Sequence, residues 1–269
     1  MKILSFLLLI LILWGCKNPN PDEKIENLTK KEIIELASEY YKALDRRKAF
    51  YLINKSLKKY ENDRDLLVMR GFIQATMNGN NDSDTFCKDF EAASKRGYKI
   101  QADYLIGRLC EYVKRPLPII SLIELKHFLN GIAYGKNGKM SDALDEFTEA
   151  KVLNPNNYET LYYLSQINYI FIKDTTTAYR LIEKAISLNG HYSDGYMFRG
   201  KIKQSKANYI EAMNDYNKAI QYDSDNAEAY YLRGKLYFRL NLPEKGRSDL
   251  MTANSKGHPY AFKLLNRLE

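Results

Sequence analysis

Residues 130–157 read "NGIAYGKNGKMSDALDEFTEAKVLNPNN", and the spacing of small, aromatic and turn-forming residues in this stretch decides the fold. Gly131 and Ala143 are small where two helices must approach closely, because a larger side chain would force them apart. Tyr134, Phe147 and Leu153 follow at helical spacing and fill the volume between the helices. Asn137-Gly138 makes the turn, and Asn154-Pro155 ends the second helix. The stretch is a helical hairpin, and the hairpin recurs. "YMFRGKIKQ" (196–204) returns as "YLRGKLYFR" (231–239), which sets Gly200 and Gly234 34 residues apart. Ala178, Ala212 and Gly246 take the same step, as do Ala185, Ala219 and Ala253. A single hairpin cannot bury its apolar faces alone, so neighbours stack into an all-α solenoid.

These residues and intervals resemble the tetratricopeptide (TPR) repeat, a pair of antiparallel helices in 34 residues. The resemblance implies a right-handed α-solenoid of TPR helix pairs. Within 116–257 four repeats are expected, at 124–157, 159–192, 193–226 and 227–257, with Tyr158 as one extra residue. The second is degenerate: Gln166 stands in place of the first glycine and Gly190 in place of the proline. "HPYAFKLLNRLE" (258–269) reads as a capping helix with a polar outer face. The segment 30–115 carries weaker copies. Ala49, Ile53 and Ser56 fit a repeat at 30–63, and "LVMRGF" with Gly71 opens another at 64. Its second helix, within 83–97, is displaced by about three residues, and one further helix runs to about Arg115, where "RPLP" breaks it.

The chain has 269 residues, 45% hydrophobic and 28% charged, a globular composition with room for a substantial core. After Trp14 no stretch approaches the ~20 apolar residues of a spanning helix. Before it, eleven of the twelve residues from Ile3 to Trp14 are apolar, and Lys2 precedes them, the layout of a signal peptide over 1–15. Leu13, Trp14, Gly15 and Cys16 resemble the lipobox of bacterial lipoproteins. That resemblance implies cleavage before Cys16 and lipidation of its sulfur, usually with an acylated amine. Several chains are needed because one myristoyl chain, at about 0.8 kcal/mol per buried CH₂, holds only marginally. Ordinary secretion with Cys16 incidental is the alternative. Lys17 rather than aspartate after the cysteine points to the outer membrane over the inner one. Residues 16–29 then read as a lipidated cysteine and tether; "KNPNPDEKIEN" (17–27) has two prolines and no apolar periodicity. Its eleven residues reach at most ~36 Å.

Little in the sequence suggests chemistry. His127, His191 and His258 fall in different repeats. HExxH, CxxC, a Gly-rich phosphate loop and a nucleophile elbow are missing. Asn80, Asp82, Asp84 and Glu91 have calcium-loop spacing, but the sixth-place glycine is absent and Lys88 stands at the ninth. They read as a polar loop with acidic helix caps. Asp142, Asp145, Glu146 and Glu149 on a second helix read as a solvated face. The expectation is a non-enzyme without metal or cofactor. Cys87 and Cys110 lie 23 residues apart on successive helices. Export would put them in an oxidising compartment, where they form a disulfide or remain two buried thiols.

Binding is the remaining class. The formal net charge is +8, or +7 without residues 1–15, spread with no run of five basic residues. Dispersed in this way it reads first as a solvated surface, with an acidic partner as the alternative; export argues against nucleic acid. In TPR proteins the first helices line a concave groove. The resemblance carries that role onto Phe128, Ile132, Tyr163, Ile167, Ile170 and Phe171. It continues through Met197, Lys201 and Gln204 to Tyr231, Lys235, Phe238 and Arg239. This groove is apolar in its middle and basic towards the C-terminus, which suits an acidic or amphipathic protein segment. Arg70, Arg199 and Arg233 each precede a repeat glycine, and that recurrence reads as structural pairing with a neighbouring helix. Together these features describe an adaptor held by the Cys16 lipid to an envelope membrane. The alternative is a permanent subunit of an outer-membrane, secretion or pilus assembly, which is analogy at the level of the fold.

Overall fold

A computed structural model describes residues 25–77, 83–110 and 118–267, with the backbone alone at 83–85 and 107–108. Residues 1–24, which hold the apolar leader, Cys16 and most of the tether, lie outside it, as do 80–82 of the calcium-spaced loop. Among the described residues every regular element is helical, and consecutive helices pack as pairs. Two compact units are present: Met1–Arg115 with Ser121–Ile123, and Pro116–Ile120 with Glu124–Glu269.

In the first unit α1 (Lys30–Lys42) packs on α2 (Arg46–Lys59), α2 on α3 (Arg64–Met77), and α3 on α4 (Ser83–Ala93). Thr29 and Glu32 close a capping box that starts α1, satisfying two otherwise orphaned backbone N–H groups. After α4 the chain leaves the helix at Arg96 and Gly97, the latter at φ 87°, and this kink leads into α5 (Lys99–Leu105) and a wide turn ending at Cys110. There Cys87 and Cys110 form a disulfide, their Cα atoms 6.0 Å apart.

The second unit stacks four pairs. They are α6 (Leu122–Lys136) with α7 (Met140–Leu153), α8 (Tyr158–Ile167) with α9 (Thr175–Leu188), α10 (Ser193–Ser205) with α11 (Tyr209–Tyr222), and α12 (Ala227–Arg239) with α13 (Pro243–Ser255). A five-residue helix, α14 (Ala261–Leu265), packs on α13. From its start to Arg267 the exposed residues are Lys263, Asn266 and Arg267, with Phe262 as the apolar exception. Only Ala261 is buried, and helical geometry then turns Phe262 outward, so that it and Tyr260 are about 60% exposed.

Two side-chain devices repeat through the stack. The first is an arginine clamp. Arg199 donates from Nε and Nη2 to both carboxylate oxygens of Asp215 on the second helix of its own pair (2.9 and 2.7 Å). Its Nη1 donates to Glu183 on the preceding pair (3.1 Å). Arg233 does the same with Asp249 and Asn217, and Arg70 with Asp89 and Asn54. The clamp partner lies 16 residues on in the later repeats and 19 in the earlier one, a direct record of the displaced α4. The second device is an acid at the start of three of the four first helices in the second unit that receives a side-chain donor from the turn closing its pair. Buried Glu124 accepts from Asn154, Asn157 and the Ile120 N–H; Asp194 accepts from Asn226; Glu228 pairs with His258. Glu146, expected on a solvated face, instead holds His127 (2.6 Å) and Asn130 (3.1 Å) from α6.

The repeat glycines sit where the helices touch. A Cβ on Gly200 would lie 2.7 Å from the Tyr216 ring and 3.2 Å from the Ala212 carbonyl. Overpacking of that kind costs about 1–3 kcal/mol. Gly200→Ala should therefore lower the melting temperature of the chain. Gly190→Ala, whose Cβ meets nothing within 4 Å, should leave it unchanged or slightly higher. Equal melting curves for the two variants would show that the glycine contact is not limiting.

Candidate functional site

The residues expected to line the groove divide into three groups by their surroundings. Phe128, Ile132, Ile167 and Met197 are buried, at 0–7% exposure, and do not reach solvent. Phe128 sits edge-on to Phe147 (5.8 Å between centroids) and to Tyr163 (5.8 Å). Tyr163 stacks flat on Phe147 at 5.0 Å and closes this aromatic cluster, so it works as a seam between the first two pairs of the unit. These side chains hold helices together. They offer a partner no free surface.

A second group is half-exposed or exposed on the first helices of the last two pairs. Tyr231 stacks on the His258 ring at 4.0 Å, and Lys235 places its ammonium 5.1 Å from the Tyr231 centroid. His258 is itself buried and fixed from both sides, with Nε2 2.8 Å from Glu228 and Nδ1 accepting from the Tyr260 N–H (3.3 Å). The turn after α13 thus holds the tyrosine, and the tyrosine carries the lysine. One repeat earlier Lys201 is half-exposed. Gln204 accepts a hydrogen bond from the Tyr216 hydroxyl (2.6 Å), which ties it to the second helix. Phe238 packs over Gly246, where a Cβ would lie 2.5 Å from its ring, and it too is committed to the pair.

The third group lies at or beyond the ends of the first helices. Ile170 and Phe171 are 50% and 53% exposed in the wide turn Asn168–Ile172 that prolongs α8. Arg239 lies over the Tyr209 ring at 5.1 Å, at the junction of α11 and α12. The structure therefore brings together Tyr231, Lys235 and His258; Arg239, one helical turn beyond Lys235 on α12, is engaged with Tyr209, and Ile170 and Phe171 lie in the turn after α8. His258 was legible only as an isolated histidine; its partner Glu228, 30 residues earlier, repeats the spacing of Glu124 and Asn154.

The chemistry available here is recognition by an aromatic ring and an ammonium group. Burial raises the phenols of Tyr162 and Tyr192 well above their ordinary range, so both stay neutral and act as packing. Among the described residues no group of three or more His, Cys, Asp or Glu could hold a metal ion.

Comparisons with known proteins agree with the repeat. Residues 199–241 match the family model of the TPR repeat, so this stretch carries the repeat. The chain is similar to the BBSome complex member BBS4 of Bos taurus, 31% identical over 108 residues, covering 40% of this chain and 20% of that protein. It is also similar to a TPR repeat-containing protein of Methanocaldococcus jannaschii, 33% identical over 116 residues, covering 43% and 20%. The match thus spans about a fifth of the length of these relatives. Among solved structures, YrrB, described as a TPR protein with an unusual peptide-binding site, covers 81% of this chain and 98% of its own at 15% identity and a TM-score of 0.45. The first TPR of Spaghetti (RPAP3) bound to an HSP90 peptide covers 44% and 94% at 24% identity and a TM-score of 0.41.

The clamp yields a quantitative expectation. Asp215 is 3% exposed and faces both Arg199 and Lys203, so Asp215→Ala strands two half-buried cations. Removing one partner of a buried pair costs about 3 kcal/mol. The degenerate repeat carries Ser165 and Leu181 at the equivalent positions, and Ser165 bonds the Ala178 carbonyl instead (2.6 Å). Arg199→Ser and Lys203→Tyr with Asp215→Leu, which copies Tyr169 of the degenerate repeat as well, should then recover most of the loss in a urea titration. A triple variant as unstable as Asp215→Ala would refute this view of the clamp.

Proposed function

We propose that the chain is a non-catalytic adaptor of the bacterial cell envelope, anchored by lipid on Cys16 at the outer rather than the inner membrane. Its α10 and α12 face takes a protein partner through an acidic or amphipathic segment. The observation that carries the binding part is the fixed group of Tyr231 and Lys235 on His258, with Lys201 one repeat away. An aromatic ring beside an ammonium suits a carboxylate next to an apolar side chain. The ring is braced by a buried histidine and needs no ordering on binding, which lowers the entropic cost of association.

The anchoring part rests on the sequence "LWGC" at 13–16 and is supported by the Cys87–Cys110 disulfide, which suits an oxidising compartment. Tethering raises local concentration, so a modest groove affinity is enough.

Each part has its own test. Lys201→Glu with Lys235→Glu should remove the proteins that crosslink to the chain in intact cells, and high salt should weaken the same contacts in the unmodified chain. Retention of every partner by the variant would overturn the groove. A stoichiometric complex that survives high salt would favour a permanent structural subunit. Separately, Cys16→Ala should release the chain from salt-washed membranes, and continued membrane fractionation would refute the anchor.

A further inference from the structure

The second unit has an edge that neither its packing nor the groove explains. In every described pair of this unit the turn from first to second helix contains one residue with left-handed backbone: Gly138, Lys173, Ala207 and Asn241, at φ between 58° and 75°. These turns are equivalent positions of stacked repeats and fall along one edge. The edge is contiguous. Lys206 in one turn lies 5.8 Å from the Tyr179 ring of the preceding pair, and Arg239 lies 5.1 Å from the Tyr209 ring in the same relation.

What the edge exposes is unusual for a turn. Ile170, Phe171 and Ile172 are 44–53% exposed, Ile210 81%, and Leu240 and Leu242 about 40%. Turns and helix starts ordinarily carry polar residues, so large apolar side chains in or directly beside three consecutive turns, Ile210 as the second residue of α11, need another cause. Exposed cations alternate with them: Lys136, Lys139, Lys173, Lys206, Arg239 and Lys245. Of the four acids nearby, Asp174 is used in capping α9 and Glu211 pairs with Lys203 at 3.6 Å, which leaves Asp142 and Glu244. The edge is therefore apolar at its tips and positive at its flanks.

We propose that this edge docks on an anionic lipid surface, with the apolar tips entering the interfacial region and the lysines reaching the headgroups. The turns project outward and line no groove, and their backbone N–H groups at 173–174, 206–209 and 240–242 are largely taken up in local hydrogen bonds. A protein segment would find neither a pocket nor a free backbone edge there. A plane of headgroups requires only a row of protruding apolar tips with cations beside them. The assignment is independent of the Cys16 anchor and of the first-helix groove.

The test uses the full chain carrying Cys16→Ala, so that no lipid is attached, with an environment-sensitive fluorophore on Ile210→Cys. The control carries it on Val152→Cys, which is 72% exposed at the far end of α7. Vesicles of phosphatidylglycerol in phosphatidylcholine should blue-shift the probe at 210 and not at 152, and pure phosphatidylcholine should shift neither. Phe171→Ser with Ile172→Ser should abolish the shift, with an unchanged circular dichroism spectrum. Lys173→Gln and Lys206→Gln should each raise the lipid concentration at half-shift about fivefold, the factor equivalent to roughly 1 kcal/mol per basic side chain near an anionic surface. No shift at 210, an equal shift at both positions, or an equal shift on neutral vesicles would overturn the proposal. So would a shift that needs a co-purified protein in place of lipid.

Discussion

One guanidinium joined to three helices sets the geometry of each regular repeat. Arg199 spends two donors on Asp215 across its own pair and a third on the preceding pair, and Arg233 and Arg70 repeat the arrangement. A planar fork fits a carboxylate bidentately only at a fixed separation and tilt, so the clamp sets crossing as well as contact. The neighbouring residue then has to be glycine, because the helix that carries Asp215 comes close enough for its Tyr216 to fill the space of a Cβ. Burial alone would lower the charge preference of Arg199; its hydrogen bonds to Asp215, together with the nearby charges of Asp215 and Glu183, more than offset it and leave the guanidinium charged more firmly than in water.

The degenerate repeat shows which part of that device is indispensable. Between α8 and α9 the arginine, its glycine and its aspartate are replaced by Ser165, Gln166 and Leu181, yet the pair still packs. A single hydroxyl donating to the Ala178 carbonyl takes over the polar contact, and Leu181 contributes apolar burial. Buried ion pairs often can be exchanged for apolar contact at little cost, provided both partners change together. The α6–α7 pair takes a third course, with Asn130 reaching Glu146 over the same 16 residues. Position is kept while chemistry varies, as expected where the constraint is helix separation.

That distinction explains what could be read from the residues in advance. Gly131 with Ala143, Gly200 with Ala212 and Gly234 with Gly246 report backbone proximity directly, so the helix pairs and even the displaced α4 were legible. The face a partner could reach was not. A first helix touches its own second helix, the second helix before it and, as α10 does with α12, the next first helix. Counting positions from the start of a repeat does not tell which of these contacts covers a side chain. Phe128 and Met197 are covered by such contacts, while Tyr231 stays half-open because only the short turn at His258 follows it. The acid that latches the turn in three repeats escaped notice for a related reason: Glu124, Asp194 and Glu228 differ in type and in donor, and only coordinates reveal one role.

The two kinds of surface left over obey different rules. On the first-helix faces apolar side chains are under pressure to be covered by the next repeat, so what remains open there is sparse and braced, as Tyr231 and Lys235 are. At the turns no following element can cover a side chain, and stacking places no demand on it. The left-handed position needs a backbone conformation that Lys173, Ala207 and Asn241 all adopt, and their neighbours are free to vary. A polar residue at each tip would satisfy the fold at lower solvation cost. Ile210, with four-fifths of its surface open to water, therefore answers to a requirement outside the repeat. Because Ile170–Ile172, Ile210 and Leu240–Leu242 recur on one edge of consecutive repeats, that requirement acts on the edge as a line. A line of apolar tips among lysines is the arrangement a flat, negatively charged surface selects.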